Sequence, residues 1–277
     1  MNAEAPVPSP YPFPKRFRVM TMNLRFGLAE DGPNSWENRK QSVGSLFDQR
    51  NPDFVGFQEA NDFQIDFLAS VFPGYGMIGQ RLPAPTFWQN NVIFYRSDWT
   101  CRRNMHFFLS LTPTVPSRSP DSRWPRQCTM GLFESGDARV ICINTHLDFD
   151  PAVQVDSARM ILRHLSEFPP ELPGILVGDF NAGPESAVHG VFSGGNPTGP
   201  PGAERVFKNG FAPDYPGTYH GFTGVPDGRH IDWIMYSGDL EVLSAGAISD
   251  PFDNIYPSDH FPLQVDFRSR FSAKSER

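Results

Sequence analysis

Polar side chains able to handle metals, protons or phosphate stand at the ends of several strand-like segments of this sequence. They are Asn23, Glu59, His146, Asp179 with Asn181, Asp232, and Asp259 with His260. Taken singly, each aspartate or asparagine could simply start a turn or cap a helix, because both residue types favour those positions. Six independent turns of this kind are a poorer explanation than one shared site, so we treat the set as a candidate site.

The segment GDFN, residues 178–181, is the most informative member of this set. In an extended chain, Asp179 and Asn181 project on one side while Phe180 turns toward the core. A carboxylate there could orient and deprotonate a water molecule, and an amide could donate a hydrogen bond to a phosphate oxygen. The alternative is an Asx-turn that leads into a helix after Pro184.

The composition of the set favours a hard divalent cation. Carboxylate and amide oxygens suit Mg²⁺ or Mn²⁺ better than Zn²⁺, and such ions need only one or two protein carboxylates beside a substrate phosphate. His146 and His260 could each protonate a leaving oxygen or hold a phosphate oxygen. Either could instead be a hydrogen-bonded histidine of the core.

Strands and helices in alternation would have to position these side chains. Strands are predicted at 18–23, 53–59, 91–96, 128–134, 139–146, 174–179, 230–236 and 260–267. One helix is predicted after the N-cap candidate Ser35, and another begins at Pro151, capped by Asp150. Without a repeat or a long linker, the pattern indicates one domain, 17–270, after a Pro-rich tail, 1–16.

Charge and cysteine content exclude several classes of protein. The 277 residues include 24 basic and 31 acidic residues, a net charge of −7, which argues against a broad basic surface for duplex nucleic acid. Three scattered cysteines predict neither a disulfide framework nor a thiolate zinc site. No signal-like or membrane-spanning stretch is evident, so we expect a cytoplasmic location, no membrane contact and no obligate protein partner.

Six motifs in chain order resemble those of the endonuclease/exonuclease/phosphatase superfamily, the metal-dependent phosphoesterases related to deoxyribonuclease I and exonuclease III. They are TMNLR (21–25), GFQE (56–59), NTHLD (144–148), GDFNAGP (178–184), RHIDWI (229–234) and PSDHFPL (257–263). Each motif is short and common, but the order and spacing together are specific. The resemblance implies an α+β fold, a four-layer α/β/β/α sandwich of two mostly antiparallel sheets flanked by helices.

The resemblance also implies a role for each residue of the set. Glu59 resembles the principal metal ligand, with Asn23 beside it and Asp259 close enough to share the ion. Asp179 resembles the residue that positions or deprotonates the attacking water, and Asn181 would hold that water or a phosphate oxygen. His260 would contact the scissile phosphate with Asp232 as its hydrogen-bond acceptor. His146 stands where deoxyribonuclease I-like members have a histidine thought to act on the leaving oxygen, and where abasic endonucleases have a tyrosine.

Three arginines are candidates for binding substrate phosphate. Arg25 replaces the aspartate of the N-x-D pattern in exonuclease III-like members, so a phosphate contact or a surface salt bridge is expected there. Arg39 could reach the site from its helix, or its stem could cover the core. Arg126 lies in the arginine-rich segment 118–127, which could bind a nucleotide or simply form a solvated loop.

The expected activity is hydrolysis of a phosphate ester by in-line attack of water, with Mg²⁺ or Mn²⁺ as cofactor. The acidic net charge favours a phosphodiester of nucleotide-like size or the end of a single strand. An inositol-phosphate or sphingomyelin-type substrate is the alternative within the same chemistry. A non-catalytic phosphoester-binding protein is the alternative from another class, and it predicts loss of at least one residue of the set.

Overall fold

Two six-stranded sheets form the centre of the computed structural model, which describes residues 15–194, 205–252 and 254–269. The first sheet has the order β11-β12-β1-β2-β4-β3. Its strands are β1 (Arg16–Asn23), β2 (Phe54–Ala60), β3 (Tyr75–Ile78), β4 (Asn90–Arg96), β11 (Leu240–Ala247) and β12 (Leu263–Ser269). The second sheet has the order β5-β6-β7-β8-β10-β9. Its strands are β5 (Thr100–Phe108), β6 (Gln127–Ser135), β7 (Ala138–His146), β8 (Gly174–Asp179), β9 (Lys208–Asn209) and β10 (Asp232–Ser237).

Four α-helices in the described part of the chain cover the outer faces of the two sheets. They are α1 (Trp36–Arg50), α2 (Asp62–Val71), α3 (Pro151–Leu165) and α4 (Ala187–Phe192). The helix starts expected at Ser35 and Asp150 are confirmed, and the Asp150 carboxylate accepts hydrogen bonds from the backbone of Ala152 and Val153.

The alternation of side chains along β1 explains the layered packing. Val19 faces the second sheet and packs in a cluster with Phe54 of β2 and Val177 of β8. Met20 and Met22 face outward against α1 and α2. A third cluster lies between α3, α4 and the second sheet. The expected four-layer sandwich is therefore confirmed, with apolar clusters on both faces of each sheet.

One parallel pair in each sheet sets the position of the site. β1 is parallel to β2, and β7 is parallel to β8, whereas the other pairs within the described residues are antiparallel. The carboxyl ends of parallel neighbours lie at the same edge of a sheet, so four strand ends come together at one end of the sandwich.

All eight predicted strands are present, with ends that differ by up to three residues. β12 begins at Leu263, for example, so His260 lies in the loop before it, where it forms an isolated bridge with Tyr219. Most of the expected tail, 1–16, and the end of the expected domain at residue 270 lie outside the described residues. No helix in the described part of the chain is long and apolar enough to cross a membrane.

Candidate active site

Strand register brings polar side chains of the second sheet side by side. His146 at the end of β7 is the partner of Asp179 at the end of β8, and Asp179 is in turn the partner of Asp232 at the start of β10. The first sheet contributes Asn23, whose Nδ2 donates to Asp179 Oδ2 at 3.0 Å and to Glu59 Oε1 at 3.2 Å. The two sheets therefore meet in one polar cluster.

The backbone turns sharply where these strands end. Glu59 and Asn181 have φ values of 59° and 49°, a left-handed conformation that is uncommon for residues other than glycine. At Gly178, φ is 150° and a Cβ would lie 2.0 Å from the carbonyl oxygen of Thr145. A glycine is therefore needed immediately before Asp179, so that β8 can lie close to β7.

Asp179 is at the centre of the cluster and is almost completely buried. Its Oδ1 accepts from the backbone N–H of Asn181 at 2.9 Å, and its Oδ2 lies 3.5 Å from His146 Nε2 and 3.9 Å from His260 Nε2. Burial, and then the charge of Asp232, raise the pKa of Asp179 to about 7. A carboxyl group with this pKa is suited to accept a proton from water near neutral pH.

Asp232 and His260 form a buried acid–imidazole pair. The distance from His260 Nδ1 to Asp232 Oδ2 is 2.8 Å. Burial opposes the charged ring, but the carboxylates of Asp232, Asp179 and Asp259 outweigh it and hold the pKa of His260 well above its ordinary value. The imidazolium can therefore present Nε2–H to an anionic oxygen.

His146 is in the opposite state. Burial, and then the charges of Arg126 and His260, hold the pKa of His146 well below its ordinary value, so the ring is neutral. Asn181 Nδ2 lies 3.1 Å from His146 Nε2 and donates to the carbonyl of Leu147 at 3.0 Å. With both amide hydrogens engaged, Asn181 offers its carbonyl oxygen, which can accept a hydrogen bond from water.

Two groups of residues at this end of the sandwich could hold a cation. Asp179, Asp232 and His260 place one ligand atom each within 4.8 Å of one another, but His260 already uses Nδ1 to bond Asp232. The group expected from the resemblance, Asn23, Glu59 and Asp259, offers only oxygen ligands, which hard divalent ions prefer. The Glu59 carboxylate is partly exposed and is oriented by Asn23 and by the backbone N–H of Phe26 at 2.7 Å. The oxygen donors therefore fit Mg²⁺ or Mn²⁺.

Arg25 is held beside this oxygen group by acidic neighbours. Its Nε and Nη2 donate to the two carboxylate oxygens of Asp31 at 3.0 and 2.8 Å, and its Nε lies 3.7 Å from Asp259 Oδ2. The hydrogen bonds to Asp31 raise the pKa of Arg25 further above its ordinary value. Since about a third of the side chain is exposed, the ion pair leaves the guanidinium open to an incoming phosphate.

Arg39 is completely buried beneath the site. Its guanidinium donates to the carbonyl oxygens of Asn34 at 3.1 Å, Pro257 at 2.8 Å and Arg25 at 3.0 Å. These bonds join helix α1 to the two loops that carry Arg25 and Asp259. In this arrangement Arg39 supports the site from below, that is, from its buried side, by holding these two loops in place.

Arg126 lies on the other side of the cluster and is 6% exposed. Its Nε is 3.6 Å from Asp148 Oδ2 and has no hydrogen-bond partner. Burial lowers the pKa of Arg126, and the carboxylates of Asp148, Asp179 and Glu59 oppose that shift. A buried guanidinium with an unbonded Nε is suited to bind an anion.

Three further residues support the cluster without having been singled out as candidates. Ser258 Oγ donates to the carbonyl of Asn23 at 2.6 Å and contacts Asp259 Oδ1 at 3.2 Å. Asp31 binds Arg25, and Asp148 faces Arg126. Ser258 lies inside the motif PSDHFPL and Asp148 inside NTHLD, so membership of a motif could have identified both. Asp31 lies outside the motifs, and nothing in the sequence marks it as part of the site.

Comparison with known proteins agrees with this geometry. A solved structure from Bacteroides vulgatus, an endonuclease/exonuclease/phosphatase, is 26% identical with a TM-score of 0.83, covering 92% of this chain and 100% of that one. The solved structure of a mannosyl-6-phosphatase of Bacteroides thetaiotaomicron is 27% identical with a TM-score of 0.79, and the match covers 91% of this chain and 99% of that one. An uncharacterised protein of Acanthamoeba polyphaga mimivirus is 29% identical over 163 residues, 53% of this chain, which spans only 59% of that relative. The model of the Endonuclease/Exonuclease/phosphatase family matches residues 20–260, so the chain belongs to that family.

Proposed function

We propose that this protein is a divalent-metal-dependent hydrolase of phosphate esters. Members of its family are hydrolases that act on such esters. The observation that carries the proposal is the position of Asp179, within 4 Å of Asn23, His146 and His260 and paired in register with Asp232. Every residue expected for the chemistry is present, which argues against a non-catalytic binding protein.

In the proposed reaction, Asp179 orients the attacking water and accepts its proton, and the carbonyl oxygen of Asn181 accepts a second hydrogen bond from that water. The His260 imidazolium donates from Nε2 to a phosphoryl oxygen, while Asp232 fixes the tautomer and the charge of the ring. Neutral His146 lies against Asp179 and is assigned to the side of the leaving oxygen.

The cofactor is proposed to be Mg²⁺ or Mn²⁺ held by Glu59, Asn23 and Asp259. When bound, such an ion supplies positive charge beside the phosphoryl oxygens and lowers the cost of the charge that develops there. Arg25 and Arg126 are proposed to bind the remaining phosphate oxygens from opposite sides. Arg39 was also a candidate for this role, but its side chain is completely buried and each of its three nitrogens donates to a backbone carbonyl, so we propose a supporting role instead.

For the substrate, we propose a phosphodiester of nucleotide-like size or the end of a single strand, as the net charge of −7 favours. A sugar phosphomonoester is the second candidate, and the similarity over 91% of the chain to a mannosyl-6-phosphatase supports it. Inositol-phosphate and sphingomyelin-type substrates stay predictions of the family resemblance. The cytoplasmic location and the lack of membrane and obligate protein partners also stay predictions.

The test compares bis-p-nitrophenyl phosphate with p-nitrophenyl phosphate, with and without EDTA. We expect EDTA to abolish hydrolysis, and Mg²⁺ or Mn²⁺ to restore it at concentrations that rise in Glu59→Gln. Hydrolysis of the diester alone supports the phosphodiester proposal, and hydrolysis of the monoester alone supports the second candidate. Full activity in EDTA would refute the role of the metal. Failure to hydrolyse either ester with added metal would refute the proposed hydrolase activity.

A further inference from the structure

The loops around the candidate site carry most of the exposed large hydrophobic side chains. Ten such side chains are exposed in the described parts of the chain, and eight of them lie on loops at this end of the sandwich; the other two are Val206 and Leu243. Exposed apolar groups that cluster in one region indicate an interaction surface. Since these loops surround the residues proposed to bind phosphate, a side chain of this group that also lies beside one of those residues is placed to contact the organic part of the substrate.

Phe149 is a member of this group whose ring lies beside a charged residue of the candidate site. It follows His146 by three residues, and its side chain is 66% exposed. Its ring centroid lies 5.6 Å from Cζ of Arg126. Because Arg126 is proposed to bind phosphate, a phosphate held by its guanidinium would lie close to the Phe149 ring.

The backbone beside Phe149 is fixed by hydrogen bonds rather than left free. Asp148 receives bonds from Ser122 Oγ and from the backbone N–H of Asp150 at 3.2 Å. Gln154 Nε2 donates to the Asp148 carbonyl at 2.7 Å. Although its neighbours are buried or bonded, the ring itself stays exposed beside a buried cation. An aromatic ring carried by a backbone that is held in this way can receive a second ring with only side-chain conformational entropy to lose on binding.

We propose that Phe149 is a specificity-determining residue, against whose ring a ring of the substrate's organic group packs while Arg126 binds the attached phosphate. The inference rests on the proposed function and narrows it to phosphate esters whose organic group carries a ring close to the phosphorus. A nucleobase and a sugar both offer a flat apolar face to an aromatic side chain, and this is the chemistry the two share. Esters of short open-chain alcohols gain nothing from Phe149.

The test measures kcat/KM for four esters by release of phosphate or alcohol: phenyl phosphate, a nucleoside monophosphate, a hexose 6-phosphate and glycerol phosphate. The diesters of phenol and of methanol form a parallel pair. The variants are Phe149→Ala, Phe149→Trp and the matched control Phe87→Ala. Phe87 is 65% exposed, almost equal to Phe149, and lies on another loop at the same end of the sandwich.

We expect Phe149→Ala to lower kcat/KM about tenfold or more for the ring-bearing esters, as stacking on an aromatic side chain would predict, and less than twofold for the open-chain esters. Phe149→Trp should retain the preference, and Phe87→Ala should leave it unchanged. The nucleoside and hexose esters show which source of the ring is used.

An equal loss on all esters, or an equal effect of Phe87→Ala, would overturn the inference while the hydrolase proposal stands. Failure of the wild-type protein to hydrolyse any ester would instead refute the proposed function. Because both phenylalanines are exposed, loss of folding should not obscure the result.

Discussion

The role of Arg39 can be decided by replacing its guanidinium with groups that keep or remove the charge. If Arg39 supports the site from below, its three bonds to the carbonyls of Asn34, Pro257 and Arg25 stabilise the fold. Arg39→Lys keeps a positive charge but cannot reach three carbonyls in different directions, since it lacks the planar fork. Arg39→Met removes every donor.

The expected magnitudes follow from these contacts. A buried polar group without a partner costs about 1–3 kcal/mol. If lysine retains one of the three bonds, two carbonyls lose their bond to residue 39 and at least one of them is left without a donor, so the free energy of unfolding should fall by about 3 kcal/mol. For a domain of this size, that corresponds to a fall in melting temperature of about 6–12 °C. Arg39→Met should be worse, because the carbonyls of Asn34 and Pro257 then lack a donor and the Arg25 carbonyl keeps only Gln64 Nε2, at 3.2 Å.

Urea unfolding of both variants measures this loss, with Arg102→Lys as the control. Arg102 pairs with Glu134 at the surface and its side chain is 58% exposed, so its replacement should change stability by less than about 0.5 kcal/mol. KM and kcat are measured on the folded variants. An Arg39→Lys protein with unchanged stability and a raised KM would refute the supporting role and favour direct contact with substrate.

Three other changes have definite expected outcomes. Asp179→Asn should lower kcat by about 10²–10⁴, with no loss of stability in EDTA at pH 8, because it removes a desolvated charge; near-normal turnover would contradict the assignment. Gly178→Ala should destabilise the fold by more than about 3 kcal/mol in urea, since its Cβ would lie 2.0 Å from a backbone oxygen; wild-type stability would contradict that geometry. Burial lowers the pKa of His106 to about 4 in the folded protein. As the pH falls, His106 therefore binds a proton in the unfolded chain before it does so in the folded protein, and the folded protein loses stability. Between pH 7.5 and 5, the free energy of unfolding of the wild type should fall by about 2 kcal/mol more than that of His106→Gln. Equal losses would contradict the lowered pKa of His106.

The strands that the sequence predicts and those that it does not differ in one physical respect. The eight predicted strands are the inner strands of the two sheets, and the four that were not predicted, β3, β5, β9 and β11, are the edge strands. An inner strand buried on both faces needs a continuous apolar run, which is visible in the sequence. An edge strand such as β5 carries Arg102 and Arg103, because charged side chains on an edge discourage pairing with other chains. Its sequence therefore resembles a loop.

The site divides along a similar line. Strand ends could be located from their apolar runs, and the motifs identify which side chains stand there, so the convergence of His146, Asp179 and Asp232 follows once the strands are paired. The surroundings of each side chain could not be predicted, because they come from loops distant in the sequence. The bond from Arg39 to the Pro257 carbonyl spans 218 positions. The spacing of apolar residues in the helix predicted that Arg39 lies near the core face. It could not predict which carbonyls Arg39 binds, because these belong to two separate loops.

The same reasoning explains why substrate preference is harder to predict than reaction class. The groups that we propose to act on the phosphate are fixed by strands, whose register permits few alternatives. The groups that would contact the rest of the substrate, Phe149 and Arg126 among them, lie on or beside loops, where neither register nor periodicity constrains the residue type. Loops can therefore change the substrate while the phosphate chemistry is kept. The specificity of the proposed hydrolase is best sought by changing loop residues one at a time, with the strand-end cluster left intact.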